Sequence, residues 1–466
     1  MTRGKITRPG VRAPLAGALL LSSGASVAAL PGTAAASTAE TDHVLYGNQV
    51  LVESFRELPN EEAGPGALAG AGAMMNGANY DAVNSIRTIG EPYLTQPTSA
   101  QGQEAALEVA IDHAAYGVLS EALPSVDYSD EFEEALDLPS PATPAEFAVG
   151  KDLGEKTSRA MAFLRERDAS SIDTPYRFGD QPGDWRSTSP RVPPLTPHWG
   201  RVKPFGIGYG SQFRPPLPPA LDSAQYAEEF DEVKDFGGAD AGETRRTEEQ
   251  TEIAHFWAND LEGTCKAPGQ LYAPTNHIVE ARWPGADSYE TARLYALMAI
   301  AVADAGVAAW DAKYLTEVDR WRPETAIQQA DTDGIPATVA DAGREPLSPD
   351  LDGERFSPPL PAYLSGHATY AAAWAGIMKR WTGSDDFEFA LEATTVDPLA
   401  DGAVRSFDSY SQVARENAES RVYLGVHFRS DAEQGLSVGD RVAAHVFSNA
   451  LDRTAPPRTQ PRAYFW

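Results

Sequence analysis

Apolar residues recur at helical spacing through long stretches of this chain, whereas alternating strand patterns are scarce, and that confines it to an all-α fold. The strongest stretch is Ser288–Tyr314, where Asp287 is a candidate cap and Glu290 follows three residues on. Ala67–Ser85 continues into Ile86, Gln103–Leu123 ends near Pro124, and Pro144–Arg167 opens with Pro-Ala-Glu, a favourable first turn. Helical patterning returns near Ser223, is strong over Glu248–Asn259, and recurs at Ala368–Trp381, Ser411–Leu424 and Ala432–Leu451, where Pro456 and Pro457 stop the last helix. Two interruptions separate these runs. Between about Ser170 and Pro219, Pro, Gly and Trp cluster as in Pro193-Pro194-Leu195-Thr196-Pro197-His198-Trp199-Gly200, which reads as a long ordered connection or a substrate-facing loop. Asp331–Pro361 is polar and rich in Asp, Pro and Gly.

The 466 residues suffice for one large domain or two moderate ones, and a net charge of −29 argues against a nucleic-acid partner, which needs a basic footprint. Arg3, Lys5, Arg8 and Arg12, the apolar Ala13–Leu30 and Ala34-Ala35-Ala36 before Ser37 read as an export signal over 1–36, without the adjacent arginine pair of the twin-arginine route. The expected location is therefore extracytoplasmic. No later uninterrupted apolar run is long enough to span a membrane. Cys265 is the single cysteine, so neither an intrachain disulfide nor a multi-cysteine metal site can form.

Three short cationic patches carry the functional signal. The first holds Lys313 and Arg322-Pro323, the second Ser365-Gly366-His367, and the third runs Ser420-Arg421-Val422-Tyr423-Leu424-Gly425-Val426-His427-Phe428-Arg429-Ser430-Asp431. A tetrahedral oxyanion presents four oxygens and two or three charges, and binding it away from water takes several cations plus neutral donors. Arginine forks at 322 and 421 suit this, and Lys313 adds a point charge. Ser365 and the Gly366 N–H stand at the start of a predicted helix, where free N–H groups and the dipole favour an anion. His427 follows Leu424-Gly425, where a helix can end and turn, and its imidazole can attack or ligate the central atom. Asp431 can hold that ring's tautomer or cap the last helix, and His367 can move protons. The remaining histidines, 43, 113, 198, 255, 277 and 445, read as structural.

Together these residues resemble the superfamily that joins vanadium-dependent haloperoxidases with type 2 phosphatidic-acid phosphatases and bacterial acid phosphatases, whose pattern is K-x6-R-P, then P-S-G-H, then S-R-x5-H-x3-D. Ser420, Arg421, His427 and Asp431 match the third element in full, and Leu364 replaces the proline of the second. Eight residues, not six, separate Lys313 from Arg322; Arg320 has the usual spacing but lacks the proline, and Trp321-Arg322-Pro323-Glu324-Thr325-Ala326-Ile327 favours Arg322. Ala309–Tyr314, Arg246–Thr251, Pro197–Gly200 and Met74–Ile86 are also similar to the exported bacterial haloperoxidase-like branch.

The resemblance implies two four-helix-bundle halves: a helical region over 37–245, a vanadate-binding helical domain over 246–455 and a tail over 456–466. It implies vanadate bound by His427, its oxygens neutralised by Lys313, Arg322, Ser365, Gly366 and Arg421, with His367 handling peroxide protons and Lys313 polarising bound peroxide. Leu360 and Trp321 would border the halide and substrate pocket; the family places aromatic or imidazole residues at the position of Leu360. The reaction implied is oxidation of halide by hydrogen peroxide to a hypohalous-acid equivalent that halogenates a small organic substrate, in a protein able to form a homodimer. The alternative within the superfamily is an acid phosphatase, in which phosphate occupies the same site and His427 forms a phosphohistidine. A non-catalytic oxyanion-binding protein is the third reading.

Overall fold

Each long periodic stretch folds into a helix close to its predicted ends. The computed structural model describes residues 42–453 apart from 98–99, 173, 189–191, 283–286 and 350–352; the candidate export signal, Pro456, Pro457 and the tail lie outside the described residues. In the first half, α1 is His43–Glu57, α2 Pro65–Ile86, α3 Leu107–Ala122, α4 Ser129–Asp137 and α5 Pro144–Arg165. The Asp42 side chain accepts the Val44 and Leu45 N–H groups to start α1. Thr143 and Glu146 form a reciprocal capping box that starts α5, with Pro144 in its first turn.

The second half holds α6 Ala224–Phe236, α7 Glu248–Phe256, α8 Lys266–Gly269, α9 Tyr272–Arg282, α10 Ser288–Tyr314, α11 Pro323–Gln328, α12 Gly366–Thr382, α13 Tyr410–Tyr423 and α14 Arg429–Asn449. Asp287 caps α10 by accepting the Tyr289 N–H, as its position predicts. The sequence reading does not anticipate α1, α4, α8, α9 or α11. It also lacks the antiparallel hairpin of β1 (Asp386–Thr394) and β2 (Val404–Ser409), where Leu391 opposite Phe407 points inward. This small addition leaves the class unchanged.

Thr291 to Lys313 of α10 are buried without a break. A helix apolar on every side belongs in a core. Although α10 is long and apolar enough to cross a membrane, it is enclosed by protein here. One side of α10 packs on α2, which in turn packs on α3 and α5; α10 also packs on α12 and α14, and α12 on α13. The α12–α14 crossing is close because of glycine: a Cβ at Gly439 would lie 2.3 Å from the Thr369 carbonyl oxygen. That closeness sets the N-terminus of α12 beside that of α14, joined by Ser365 N–H to the Asp431 carbonyl at 3.0 Å.

Among its described residues, the connection between 170 and 219 holds no α-helix, only short turns at Trp199–Arg201 and Gly210–Phe213. It is stapled along α10. Asp304 accepts the N–H groups of Phe205, Gly206 and Ile207 at 2.6, 2.6 and 2.8 Å, and Trp310 Nε1 donates to Thr196 Oγ1 at 3.0 Å.

Candidate active site

The third patch is shaped by the end of α13. Gly425 takes a φ of +80°, the left-handed conformation that ends a helix, and a Cβ there would strike the Gly237 carbonyl oxygen at 2.2 Å. The chain then reverses so that Val426 N–H returns to the Arg421 carbonyl at 3.1 Å, and His427 comes round beside Arg421. His427 Nδ1 lies 3.2 Å from Asp431 Oδ2, which also accepts the Phe428 N–H at 2.9 Å. Asp431 thus caps α14 and holds the histidine at once.

Arg322, just before α11, reaches the other side of the same ring. Its Nη1 stands 3.1 Å from His427 Nε2 and 2.8 Å from the Val426 carbonyl, and its Nε donates to the Leu360 carbonyl at 2.8 Å. A guanidinium only donates, so Nε2 accepts and the ring proton resides on Nδ1, facing Asp431. Burial first, then the charges of Arg322, Lys313 and Arg421, hold His427 well below the ordinary histidine value. The ring is a neutral imidazole with its basic lone pair at Nε2.

His367, in the first turn of α12, donates Nε2–H to the Ala258 carbonyl at 3.0 Å. Burial, then Arg421, lowers its pKa to about 4. Arg421 Nη2 donates to Asp260 Oδ2 at 3.0 Å and its Nη1 approaches the Trp257 carbonyl at 3.4 Å. Burial raises Asp260, but His367 and Arg421 outweigh it and hold the carboxyl below its usual range. Lys313 ends α10 with Nζ donating to the carbonyls of Pro361 and Ala362 at 2.6 and 3.1 Å. Burial and then Arg322 hold it well below the ordinary lysine value, against the pull of Asp431.

A cavity of about 260 Å³ opens on these groups. Arg322, Leu360, Gly366, His367, Arg421 and His427 line it, so all three patches converge there. Ser365 is buried at its edge as the α12 cap, its Oγ accepting the Ala368 N–H at 3.4 Å. Lys313 and Asp431 stand behind the wall. One expectation changes. Trp321 does not border the cavity: it is buried among Tyr226, Phe230 and Phe428, because it precedes Arg322 on extended backbone and the two side chains point apart. Arg320 does not reach it either, and donates instead to Asp431 Oδ1 at 2.9 Å.

Sequence reasoning missed Asp260 and Lys266, which also line the cavity. Lys266 Nζ donates to Asn60 Oδ1 at 2.8 Å and to the Asp260 carbonyl at 3.1 Å, tying the segment that carries Asp260 to the α1–α2 loop. Neither residue falls at a spacing linked to the three patches; folding alone brings them there. The rest of the wall is largely apolar, with Ala63, Pro65, Leu195, Trp310, Phe356 and Pro358 among it, and none of the six histidines read as structural takes part.

The donors fit an oxyanion. Arg322 Nη2 and Arg421 Nε are buried with no hydrogen-bond partner, an arrangement that costs about 1–3 kcal/mol per group unless something accepts from them. Their two side chains line the cavity together with Gly366 at the start of α12 and His427, whose Nε2 accepts from Arg322, and so give it a cationic wall.

Residues 293–455, which hold all three patches, match the family model of the VCPO second helical-bundle domain. Over 318 residues the chain is 27% identical to the vanadium chloroperoxidase of Curvularia inaequalis, covering 53% of this chain and 50% of that protein. The chain thus spans about half the length of this relative. Among solved structures, a bacterial vanadium-dependent iodoperoxidase gives a TM-score of 0.69 at 24% identity, over 88% of this chain and 98% of that one. The holo form of a bacterial vanadium-dependent chloroperoxidase gives 0.64 at 17% identity, over 88% and 96%. Those two likenesses establish the helical fold. The likeness to vanadium-dependent haloperoxidases is thus carried in sequence by residues 293–455, which match the second helical-bundle domain, and in fold by most of the chain.

Proposed function

We propose that the protein is a vanadium-dependent haloperoxidase that uses hydrogen peroxide to oxidise a halide to a hypohalous-acid equivalent, which halogenates a small organic substrate. The observation that supports this reading most is the His427 ring, neutral and clamped between Asp431 and Arg322, with its Nε2 lone pair beside two unpartnered guanidinium donors. Vanadate would be held by His427 Nε2, with Arg322, Arg421 and the Ser365-Gly366 helix start at its oxygens and Lys313 adding charge from behind the wall. When bound, it supplies Lewis-acid activation of peroxide without changing oxidation state.

The chain's own groups supply the rest. Asp431 keeps the His427 proton on Nδ1 and so leaves Nε2 unprotonated, its lone pair accepting from Arg322 until a ligand displaces that contact. His367 is neutral above about pH 4 and can accept a proton from incoming peroxide at Nδ1, because its Nε2–H is committed to the Ala258 carbonyl. Leu360, Pro358 and Trp310 exclude water from the side facing the cations and leave room for the acceptor of the halogen.

The test is bromination of a phenol-red-type dye by purified protein with peroxide and bromide, with and without orthovanadate, alongside hydrolysis of p-nitrophenyl phosphate. Vanadate-dependent bromination is the expected outcome. Ester hydrolysis that vanadate blocks, with no bromination, would instead make His427 a phosphoryl acceptor and His367 the donor to the leaving alcohol.

A further inference from the structure

The eight residues between Lys313 and Arg322 deliver Arg320 to a place behind the cavity. Its guanidinium is 4% exposed and lies 4.1 Å over the Phe428 ring. Nη1 donates to Asp431 Oδ1 at 2.9 Å and to Ser430 Oγ at 2.8 Å, while Nη2 stands 3.5 Å from Glu229 Oε2. The Ser430 hydroxyl donates to that same Glu229 oxygen at 2.6 Å, and Gln225 Nε2 donates to the other at 3.0 Å. The linker itself is held on both sides. Trp185 N–H donates to the Asp319 carbonyl at 2.6 Å, Trp321 N–H to the Gly183 carbonyl at 2.8 Å, and Ala362 N–H to the Arg320 carbonyl at 2.9 Å.

These contacts divide the two oxygens of Asp431. Oδ2 faces His427 Nδ1 and the Phe428 N–H; Oδ1 faces Arg320. A carboxylate anchored at one oxygen can swing about its broad terminal torsion, whereas one anchored at both is fixed in plane. We propose that Arg320, backed by Glu229, is a positioning residue that aims His427 at the oxyanion by locking both oxygens of Asp431, without touching the oxyanion itself. Removing Arg320 would leave two buried carboxylates, Asp431 and Glu229, around Ser430 with no cation between them. Their repulsion would turn Asp431 away and release the ring to either tautomer.

This inference rests on the oxyanion reading of the cavity, and its test separates the two. Calorimetric titration of the full chain with orthovanadate, and separately with inorganic phosphate, measures affinity without any turnover. Nitrogen-15 NMR of histidine-labelled protein reads the His427 tautomer, assigned by its loss in His427→Gln. For Arg320→Met the expected result is a loss of about 10- to 100-fold in oxyanion affinity with mixed His427 tautomers, in a protein that the two uncompensated carboxylates also make less stable. Arg320→Lys should recover affinity to within about threefold of the original protein, because a cation again reaches Oδ1. A folded Arg320→Met that binds orthovanadate within about twofold of the original protein and keeps the Nδ1–H tautomer would overturn the proposal. If that variant does not fold, Glu229→Gln decides: weaker oxyanion binding supports the role, and unchanged binding overturns it. Absence of binding of either anion by the unaltered protein would overturn the oxyanion reading, and this inference with it.

Discussion

Charge is buried in several regions of this molecule, and two kinds of region are built in opposite ways. On one side are loop staples. Asp81 on α2 accepts the N–H groups of Tyr93, Leu94 and Thr95 at 2.6, 2.8 and 2.9 Å, and Asp304 on α10 does the same for Phe205, Gly206 and Ile207. Each carboxylate meets three backbone donors, with at least one on each of its oxygens. At the cavity the balance reverses. Arg322 and Arg421 bond to carbonyls and to Asp260, yet each keeps a buried donor unmatched. Satisfied buried charge organises chain; unsatisfied buried charge at a cavity wall is held ready for something that arrives later.

The comparison breaks most sharply at His427. His427→Ala should lower vanadate-dependent turnover at least about 10³-fold while the melting temperature stays within a few degrees, because the ring contributes a lone pair more than packing. Turnover kept, or stability lost, would move His427 to the structural side. Asp81→Ala should do the reverse. Three buried N–H groups lose their acceptor at about 1–3 kcal/mol each, so urea unfolding should show a loss of about 3 kcal/mol or more. Orthovanadate affinity in the folded fraction should be unchanged; a parallel drop would mean that the staples tune the cavity.

Lys313 lies between the two kinds, since its ammonium is satisfied by the carbonyls of Pro361 and Ala362 while its charge acts on His427. Lys313→Met should weaken orthovanadate binding about tenfold, near 1.4 kcal/mol. It should also loosen the 358–364 segment, readable as faster amide exchange there. Unchanged affinity with faster exchange would make the lysine a staple only.

The sequence was most legible where function demands residues close together in the chain. Arg421, Gly425, His427 and Asp431 lie on one helix end, its turn and the next helix start, so their spacing encodes their geometry directly. The helix starts were legible for the same local reason: Thr143, Ser223, Thr247 and Asp287 each bond to N–H groups two or three residues on. Asp260 and Lys266 were not legible, because their role depends on α7 and α8 packing against the α1–α2 loop and α13, contacts that no spacing records. Trp321 misleads for a related reason. It adjoins Arg322 in sequence, but adjacency along extended backbone places side chains on opposite faces, and the apolar one went to the core. Arg320 shows the converse: a position that fits the usual spacing was carried past the cavity by the longer linker and took up a different partner.

That linker supplies the smallest expected effect. Asp319 accepts from the Tyr176 hydroxyl, a single side-chain partner where Asp81 has three backbone donors, and its carbonyl takes the Trp185 N–H. Burial first, then the neighbouring Asp184, push its carboxyl up to about 6, against the Tyr176 hydroxyl, which lowers it. The folded state therefore holds this proton more tightly than the unfolded chain. Between about pH 4 and pH 6 the native form carries more protons than the unfolded one, so stability falls as pH rises through that window and levels off above it. Solvent reaches the half-buried group and screens it, so the change should be under about 1 kcal/mol. Urea midpoints at pH 4.5 and 6.5 should differ more for the original protein than for Asp319→Asn, which has no proton to release there. Equal differences would mean that Asp319 is held as firmly as the staples are, and that the inserted linker is fixed by its backbone contacts alone.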